Sequence, residues 1–564
     1  MSNTEVVQIA EPVRITVPPD FPVAWEQPDD ARMFWQLERL HFADPMAAMD
    51  YAFMADAHLQ LNWAFGQYGL PDRYHFRLFN HRWFYAIAPV DAPPEQLQAM
   101  SERGGANVSG AADRLETLWN DEWQPEVRQH LAFWEAFDLA GADLATLLAH
   151  VDETVARFRR CWQIHFLQTL PVYVAMSSLE ELCRDLFGDQ SALGPYRLTQ
   201  GLGNATFESG CALWRLSRRA LATPAVRRIL EERGAGEVPT ALEATAVGRA
   251  FLGELRAYLD LWGKRGDKMG ISYPSWIEDP SPAITQLKDY VARPDRDIEA
   301  EFAGLAEERE RAVAEARGRL SGYPAAVRER FETALRAAQI ATVISEDHNY
   351  LIDFQCSYEV RRVLLELGAR LAASGALDAQ GDVFYLSPDE LRVTAAALPA
   401  MVQRTVVAER RASIARARLV MAPRALGTVP DGPPPDDPVA LAVGKFFGAP
   451  PPPTTEPGVL RGHPGSPGRA HGPAKVIRSL AEAAKLRPGD VLVAESTAPS
   501  WTPLFATVVA VVTDTGGVLS HCAVVAREYG VPAVVGTATA TELIRDGQIL
   551  EVDGDAGLVR IDPA

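Results

Sequence analysis

Cysteine is sparse in this chain. Five thiols among 564 residues (Cys161, Cys183, Cys211, Cys356 and Cys522) include no C-x-x-C pair. That excludes a disulfide framework and the thiolate metal sites built on such pairs, and it fits a reducing cytoplasm. No bound metal is expected. Positive charge is in deficit, with 55 Lys and Arg against 74 Asp and Glu and a formal net charge of −19. A nucleic-acid partner, which needs a basic face, is therefore excluded, although a local basic pocket for phosphate is not. Apolar runs of about 18 residues are missing, so no membrane span is expected. The opening "MSNTEVVQIAEPVRITVPPD" lacks a basic-then-apolar signal, and a soluble, cytoplasmic protein is the expectation. There is no G-x-x-x-x-G-K-[ST] phosphate loop and no repeat with a 20–50-residue period.

What is there divides into pieces. A chain of 564 residues exceeds one ordinary core, and two to four domains are expected. Residues 1–93 read as an N-terminal segment packed on the body. It has a proline-punctuated start, a helical, aromatic-rich stretch from Asp29 to about Leu70, and the strand-like "YHFRLFNHRWFYAIAPV". Residues 94–421 show apolar spacings of three and four and read as a helical body. Within it, 298–320 and 324–374 look like two long helices separated by Gly322-Tyr323-Pro324. Residues 422–458 are rich in proline, which favours extended, semi-stiff chain. Residues 459–564 alternate short apolar strands with turns and read as a small α/β domain, with helices at 480–486, 502–507, 520–529 and 540–544. The fold class is thus a mainly α-helical body plus a C-terminal small α/β domain.

The densest chemistry lies in "ATVVAVVTDTGGVLSHCAVVAREYGVP". A buried-looking strand runs into Thr515, Gly516 and Gly517; Ser520-His521 then opens a short apolar helix that stops at Gly530 and Pro532. A helix start offers free N–H groups and the positive end of the dipole, a setting that suits an anion. A histidine placed there can act as a nucleophile that receives a phosphoryl group and passes it on. His521 is the candidate nucleophile, and Thr515, Gly516, Gly517 and Ser520 are candidate phosphate binders. Arg527, one and a half turns further on, falls off the His521 face, where a Glu528 salt bridge or a domain contact suits it as well as phosphate.

In the body, "EDHNYLIDF" places Glu346, His348 and Asp353 at helix-compatible spacings. On a regular helix Glu346 and Asp353 share a face, with His348 to one side. Any of the three could take the proton of a substrate hydroxyl. Lys264 and Arg265, in "GKRGDK", could steady transferring phosphate oxygens. The Trp, Phe, Met and Tyr content of the first 70 residues suits an apolar pocket.

The string "TDTGGVLSHCAVVAREYGVPAVVG", followed by "LIRDG" and "VDGDAGLVRI", resembles the phosphohistidine swivelling domain of the phosphoenolpyruvate-utilising enzymes over about residues 462–561. This family includes phosphoenolpyruvate synthase, pyruvate phosphate dikinase, rifampin phosphotransferase and phenylphosphate synthase. The resemblance implies that His521 is phosphorylated and that residues 422–458 are a tether for a moving domain. Residues 201–217, 262–287 and 346–391 resemble the substrate-binding region of rifampin phosphotransferase, which implies that the mainly α-helical body is a substrate-binding body. Relatives tend to have His where Lys264 stands.

Rifampin phosphotransferase and phosphoenolpyruvate synthase also carry an ATP-grasp module, and no glycine-rich strand-turn-strand of that type stands in the first 100 residues. The arrangement is similar to the substrate-and-swivelling subunit of phenylphosphate synthase. By that resemblance an ATP-grasp-type kinase partner, holding Mg2+ and ATP, phosphorylates His521, with no cofactor bound permanently to this chain. The implied reaction is dikinase-type transfer to a hydroxyl of a small aromatic or hydrophobic substrate. A dehydratase or lyase component working through a transient phosphate ester, or a non-catalytic scaffold with a swivelling domain, are the alternatives.

Overall fold

The computed structural model describes residues 14–188, 194–430, 437–448, 451, 454, 456–497 and 499–562. Near its start, Asn80 and His81 take φ of +46° and +62°, the conformation that closes a two-residue hairpin between twisted strands. The hairpin pairs β2 (Asp72–Phe79) with β3 (Arg82–Pro89) in one unbroken register from Asp72↔Pro89 to Phe79↔Arg82. The segment expected to be helical from Asp29 is different at its beginning. Phe34–Leu37 forms β1, inserted between β3 and β4 (Ala425–Gly427), to complete the antiparallel order β2-β3-β1-β4. Pairing on both edges and complete burial of Trp35 outweigh local helical preference there. The helix α1 begins only at Ala48 and runs to Tyr68, after Pro45 has broken the chain direction.

The body is organised around α2, a 44-residue helix spanning Leu144–Phe187. Asp143 caps its start by accepting the Thr146 N–H at 2.7 Å. Gly188, at φ +62°, ends it. Pro171 lies inside, and a proline there leaves the carbonyl four residues back without its helical donor. That carbonyl belongs to Leu167, and the Tyr68 hydroxyl of α1 donates to it at 2.6 Å. The defect in one helix thus fixes the seat of the next. Against α2 packs a rod built of α3 (Ala325–His348), a π-helical segment (Asn349–Cys356) and α4 (Ser357–Ala373). The sequence pattern anticipates one long helix over 324–374; the structure keeps the rod but widens its middle.

Part of the proline-rich segment is folded. Besides β4, Pro438–Phe447 forms α5, capped by Asp437 and seated on α2. Phe446 stacks on Tyr173 at 4.5 Å, and the Lys445 ammonium lies 2.8 Å from the Ser177 hydroxyl and 2.9 Å from Glu180. Residues 431–436, 449–450, 452–453 and 455 of the expected tether lie outside the described residues.

The C-terminal domain is an eight-stranded mixed sheet in the order β5-β12-β11-β7-β8-β9-β10-β6. Its strands are β5 (Val459–Arg461), β6 (His463–Ser466), β7 (Arg469–Val476), β8 (Val491–Ala494), β9 (Ala510–Thr513), β10 (Ala533–Val535), β11 (Ile549–Asp553) and β12 (Leu558–Ile561). The central run β7-β8-β9-β10 is parallel. Every residue of β8 and β9 is buried, as befits parallel strands covered on both faces. Alternate residues serve two cores: Leu492 and Val511 meet the helix after β9, whereas Val491, Val493 and Val512 face β11 and the turn near Ala540. That helix, α6 (His521–Glu528), carries the histidine singled out above. A mainly helical body with a small α/β domain is the observed fold class. No described helix is long and apolar enough to cross a membrane.

Candidate functional site

His521 sits at the first position of α6, after the strand-to-helix turn that leaves β9. Gly516 takes φ +94°, and a Cβ on Gly517 would stand 2.1 Å from the Lys445 carbonyl. The pair of glycines is needed because the turn runs directly against the end of α5. In this arrangement the Gly517 N–H donates to Phe446 O at 2.8 Å, and that of Leu519 to Lys445 O at 3.0 Å. The Thr515 N–H and hydroxyl both donate to Glu495 O, at 3.0 and 2.9 Å. Of the four candidate phosphate binders, Ser520 alone keeps a buried hydroxyl with no hydrogen-bond partner.

The imidazole of His521 is docked on the body. Its Nδ1 lies 2.9 Å from Glu346 Oε1, and its Nε2 lies 3.3 Å from the Thr502 hydroxyl. Glu346 is wholly buried, and its second oxygen accepts from the Thr206 hydroxyl at 2.8 Å. Burial alone would push this carboxyl up, but the facing His521 imidazole, the Thr206 bond and His348 hold it below the usual carboxylate range. An ionised Glu346 accepts from Nδ1–H, which leaves the Nε2 lone pair of His521 facing the Thr502 hydroxyl.

His521 lines a cavity of about 710 Å³ at the junction of the two domains. The walls are aromatic, with Phe42, Trp83 and Phe166 among them, and α1, α2, β2, β3 and the rod all contribute. On the body side, His348, Asp353 and His165 offer ligand atoms that all lie within 4.8 Å of one another. On a regular α-helix five residues separate two side chains by about 140°, which would put His348 and Asp353 on different faces. The π-helical segment has an i→i+5 repeat and swings Asp353 back beside His348. The face expected to unite Glu346 with Asp353 is therefore redrawn: Glu346 meets His521, and His348 meets Asp353. His348 donates its Nδ1–H to Ile344 O at 2.8 Å. Burial and the nearby His165 depress it to about 4, so it is neutral at ordinary pH. Burial would raise the Asp353 carboxyl, but His165 through charge and hydrogen bonding, with His348 and His41, together hold it below the usual carboxylate range.

Lys264 and Arg265 do not join this site. Lys264 pairs with Glu135 at 2.5 Å and Glu359 at 3.2 Å. Arg265 is buried, donates to Trp262 O at 3.0 Å, and lies over the rings of Tyr350, Trp276 and Phe354 at 5.3–5.9 Å. Arg527 makes a domain contact: it donates to Gly465 O and Val518 O within its own domain and stacks at 4.4 Å over Tyr196 of the body. Reading the residues along the chain misses His165, Thr206 and Thr502. A histidine in the apolar run "CWQIHFLQTLPVYV" is the one available signal for His165.

Residues 486–557 match the PEP-utilising enzyme mobile domain, and residues 165–346 match the rifampicin phosphotransferase fourth domain. The first match contains His521; the second starts at His165 and ends at Glu346. A chondramide synthase of Chondromyces crocatus is 41% identical over 97% of this chain, which spans 14% of that protein. The uncharacterized phosphotransferase YvkC of Bacillus subtilis is 32% identical over 72% of this chain and 48% of its own length. A rifampicin phosphotransferase of Streptomyces sviceus is 32% identical over 68% of this chain and 42% of its own length. The chain spans less than half the length of these relatives. In its two matched domains the chain is similar to the PEP-utilising enzymes and the rifampicin phosphotransferases.

Proposed function

We propose that His521 accepts a phosphoryl group and delivers it to a hydroxyl of a small aromatic or otherwise hydrophobic molecule held in the junction cavity. The observation that carries this reading is the docking of His521 at that cavity, with Nδ1 on Glu346 and Nε2 towards the Thr502 hydroxyl, which supports Nε2 as the phosphoryl atom. The cavity's size and aromatic walls suit a small apolar acceptor. The phosphoryl donor is an ATP-grasp kinase partner with bound Mg2+ and ATP, which loads His521 while the domain is undocked. Ser520 then holds a phosphate oxygen. On docking, the acceptor O–P bond forms as the Nε2–P bond breaks. Glu346 keeps the proton on Nδ1, so the imidazole leaves neutral. The hydroxyl proton goes to the imidazole and carboxylate face formed by His165, His348 and Asp353. Positioning and charge, rather than covalent work, supply most of the rate in such a transfer.

The test is incubation of the protein with ATP, Mg2+, the ATP-grasp partner and a panel of phenols and alcohols, followed by phosphorus NMR. A phosphate ester should appear together with AMP and inorganic phosphate. ADP as the sole nucleotide product contradicts dikinase-type loading. Intact mass should show one phosphoryl group on the wild type and none on His521→Ala; equal labelling of the two removes His521 as the carrier.

A further inference from the structure

The cluster of His165, His348 and Asp353 has a feature that phosphoryl transfer does not require. His165 Nδ1 lies 2.9 Å from Asp353 Oδ1, an ion-pair distance without hydrogen-bond geometry, and both atoms are shut off from solvent. His348 has its Nδ1–H taken by Ile344 O, so its Nε2 lone pair is the atom presented. A backbone carbonyl that fixes the tautomer in this way is the usual support behind a metal-bound imidazole.

We propose that His165, His348 and Asp353 bind one divalent transition-metal ion of the zinc class. Metal–ligand bonds of about 2.0–2.2 Å place ligand atoms roughly 3–3.5 Å apart. The three side chains offer atoms within 4.8 Å of one another, so closure around an ion needs side-chain shifts of about 1 Å. Two imidazoles and one carboxylate suit zinc, iron, cobalt or manganese over magnesium or calcium, which prefer oxygen donors. Two helical elements hold the set: His165 stands on α2, and the π-helical segment brings Asp353 beside His348. All three residues border the junction cavity, which leaves the remaining coordination positions open, as in catalytic rather than structural sites. The consequence for chemistry rests on the cavity being the acceptor pocket. The acceptor hydroxyl becomes a metal ligand, its oxygen is made more acidic, and its proton leaves to a cavity water. His348 then serves as a ligand instead of the base it would be without the ion. The scattered cysteines of the sequence give no hint of such a site, because none of its ligands is a cysteine.

The experiment is titration of the full chain, stripped with chelator, with Zn2+ by calorimetry and with Co2+ by visible absorption. One equivalent should bind. Absorption spectroscopy at the zinc edge should count two imidazoles and no sulfur, although Cys161 and Cys356 are buried nearby. Asp353→Asn and His165→Gln should raise the dissociation constant at least about tenfold, with folding checked by circular dichroism. His521→Ala should bind the ion as the wild type does while taking up no phosphoryl group, which separates this proposal from the carrier role. Absence of stoichiometric binding, sulfur in the coordination shell, or binding that survives Asp353→Asn overturns it. The zinc-edge count needs no variant and decides the question even where a variant fails to fold.

Discussion

Glu346 faces His521 from the opposite domain. A buried carboxylate that has Thr206 on one oxygen and His521 on the other can only favour the Nδ1–H tautomer. Glu346→Gln keeps the shape but offers a weaker and ambiguous partner. Loading of His521 from ATP should proceed as in the wild type, while delivery from phosphorylated protein to acceptor should slow by roughly 10²-fold. Single-turnover quench of the pre-phosphorylated protein reads this directly; equal delivery rates would remove Glu346 from the mechanism. His521 is legible in the sequence because strand, glycines, Ser-His and apolar helix are contiguous. His165 is not, because its partners His348 and Asp353 lie some 180 residues away along the chain and meet it only across packed helices. Lys264 and Arg265 mislead for a related reason. Their basic string suggests phosphate, but the ion pairs and rings that occupy them come from Glu135, Glu359 and Tyr350, distant in sequence.

Two irregular helices build the cavity. Pro171 frees the Leu167 carbonyl, and Tyr68 answers it. Tyr68→Phe leaves that carbonyl without a donor in the core next to His165. A loss of about 1–3 kcal/mol in unfolding free energy is expected, measured by denaturant titration, and no change would mean that water takes the place of the hydroxyl. The π-helical segment is the second irregularity. The run "EDHNYLIDF" reads as ordinary helix, since a single widened turn leaves the apolar spacing almost unaltered. Elements with strong local patterns were legible: the β2–β3 hairpin, the two long helical stretches and the helix after His521. The strand β1 was not, since its pairing partners β3 and β4 come from elsewhere in the chain, β4 almost 400 residues away.

At the scale of the molecule, docking brings acidic groups together. Glu528 of the mobile domain accepts from Asn204 of the body at 2.8 Å. Burial first, and then the charge of Glu346, push its carboxyl from 4.5 up to about 8. Undocked and hydrated, it returns to the ordinary range, so docking takes up a proton between about 4.5 and 8. The contribution of Glu528 to docking is therefore full below about 4.5, falls as the pH rises towards 8, and is level above. Small-angle scattering or inter-domain energy transfer across that range should report a growing undocked fraction, and Glu528→Gln should flatten the trend. The chain by itself determined the helical body with its small α/β part, the strand-to-helix turn and the place of His521 at the helix start, because those depend on local periodicity and contiguous motifs. Tertiary structure alone decided that α5 lies against the Gly516-Gly517 turn, that Glu346 pairs with His521, and that two histidines and an aspartate from separate helical elements share one buried point. Those pairings follow from packing between distant elements, where burial and unpaired polar atoms, rather than spacing along the chain, set which groups meet.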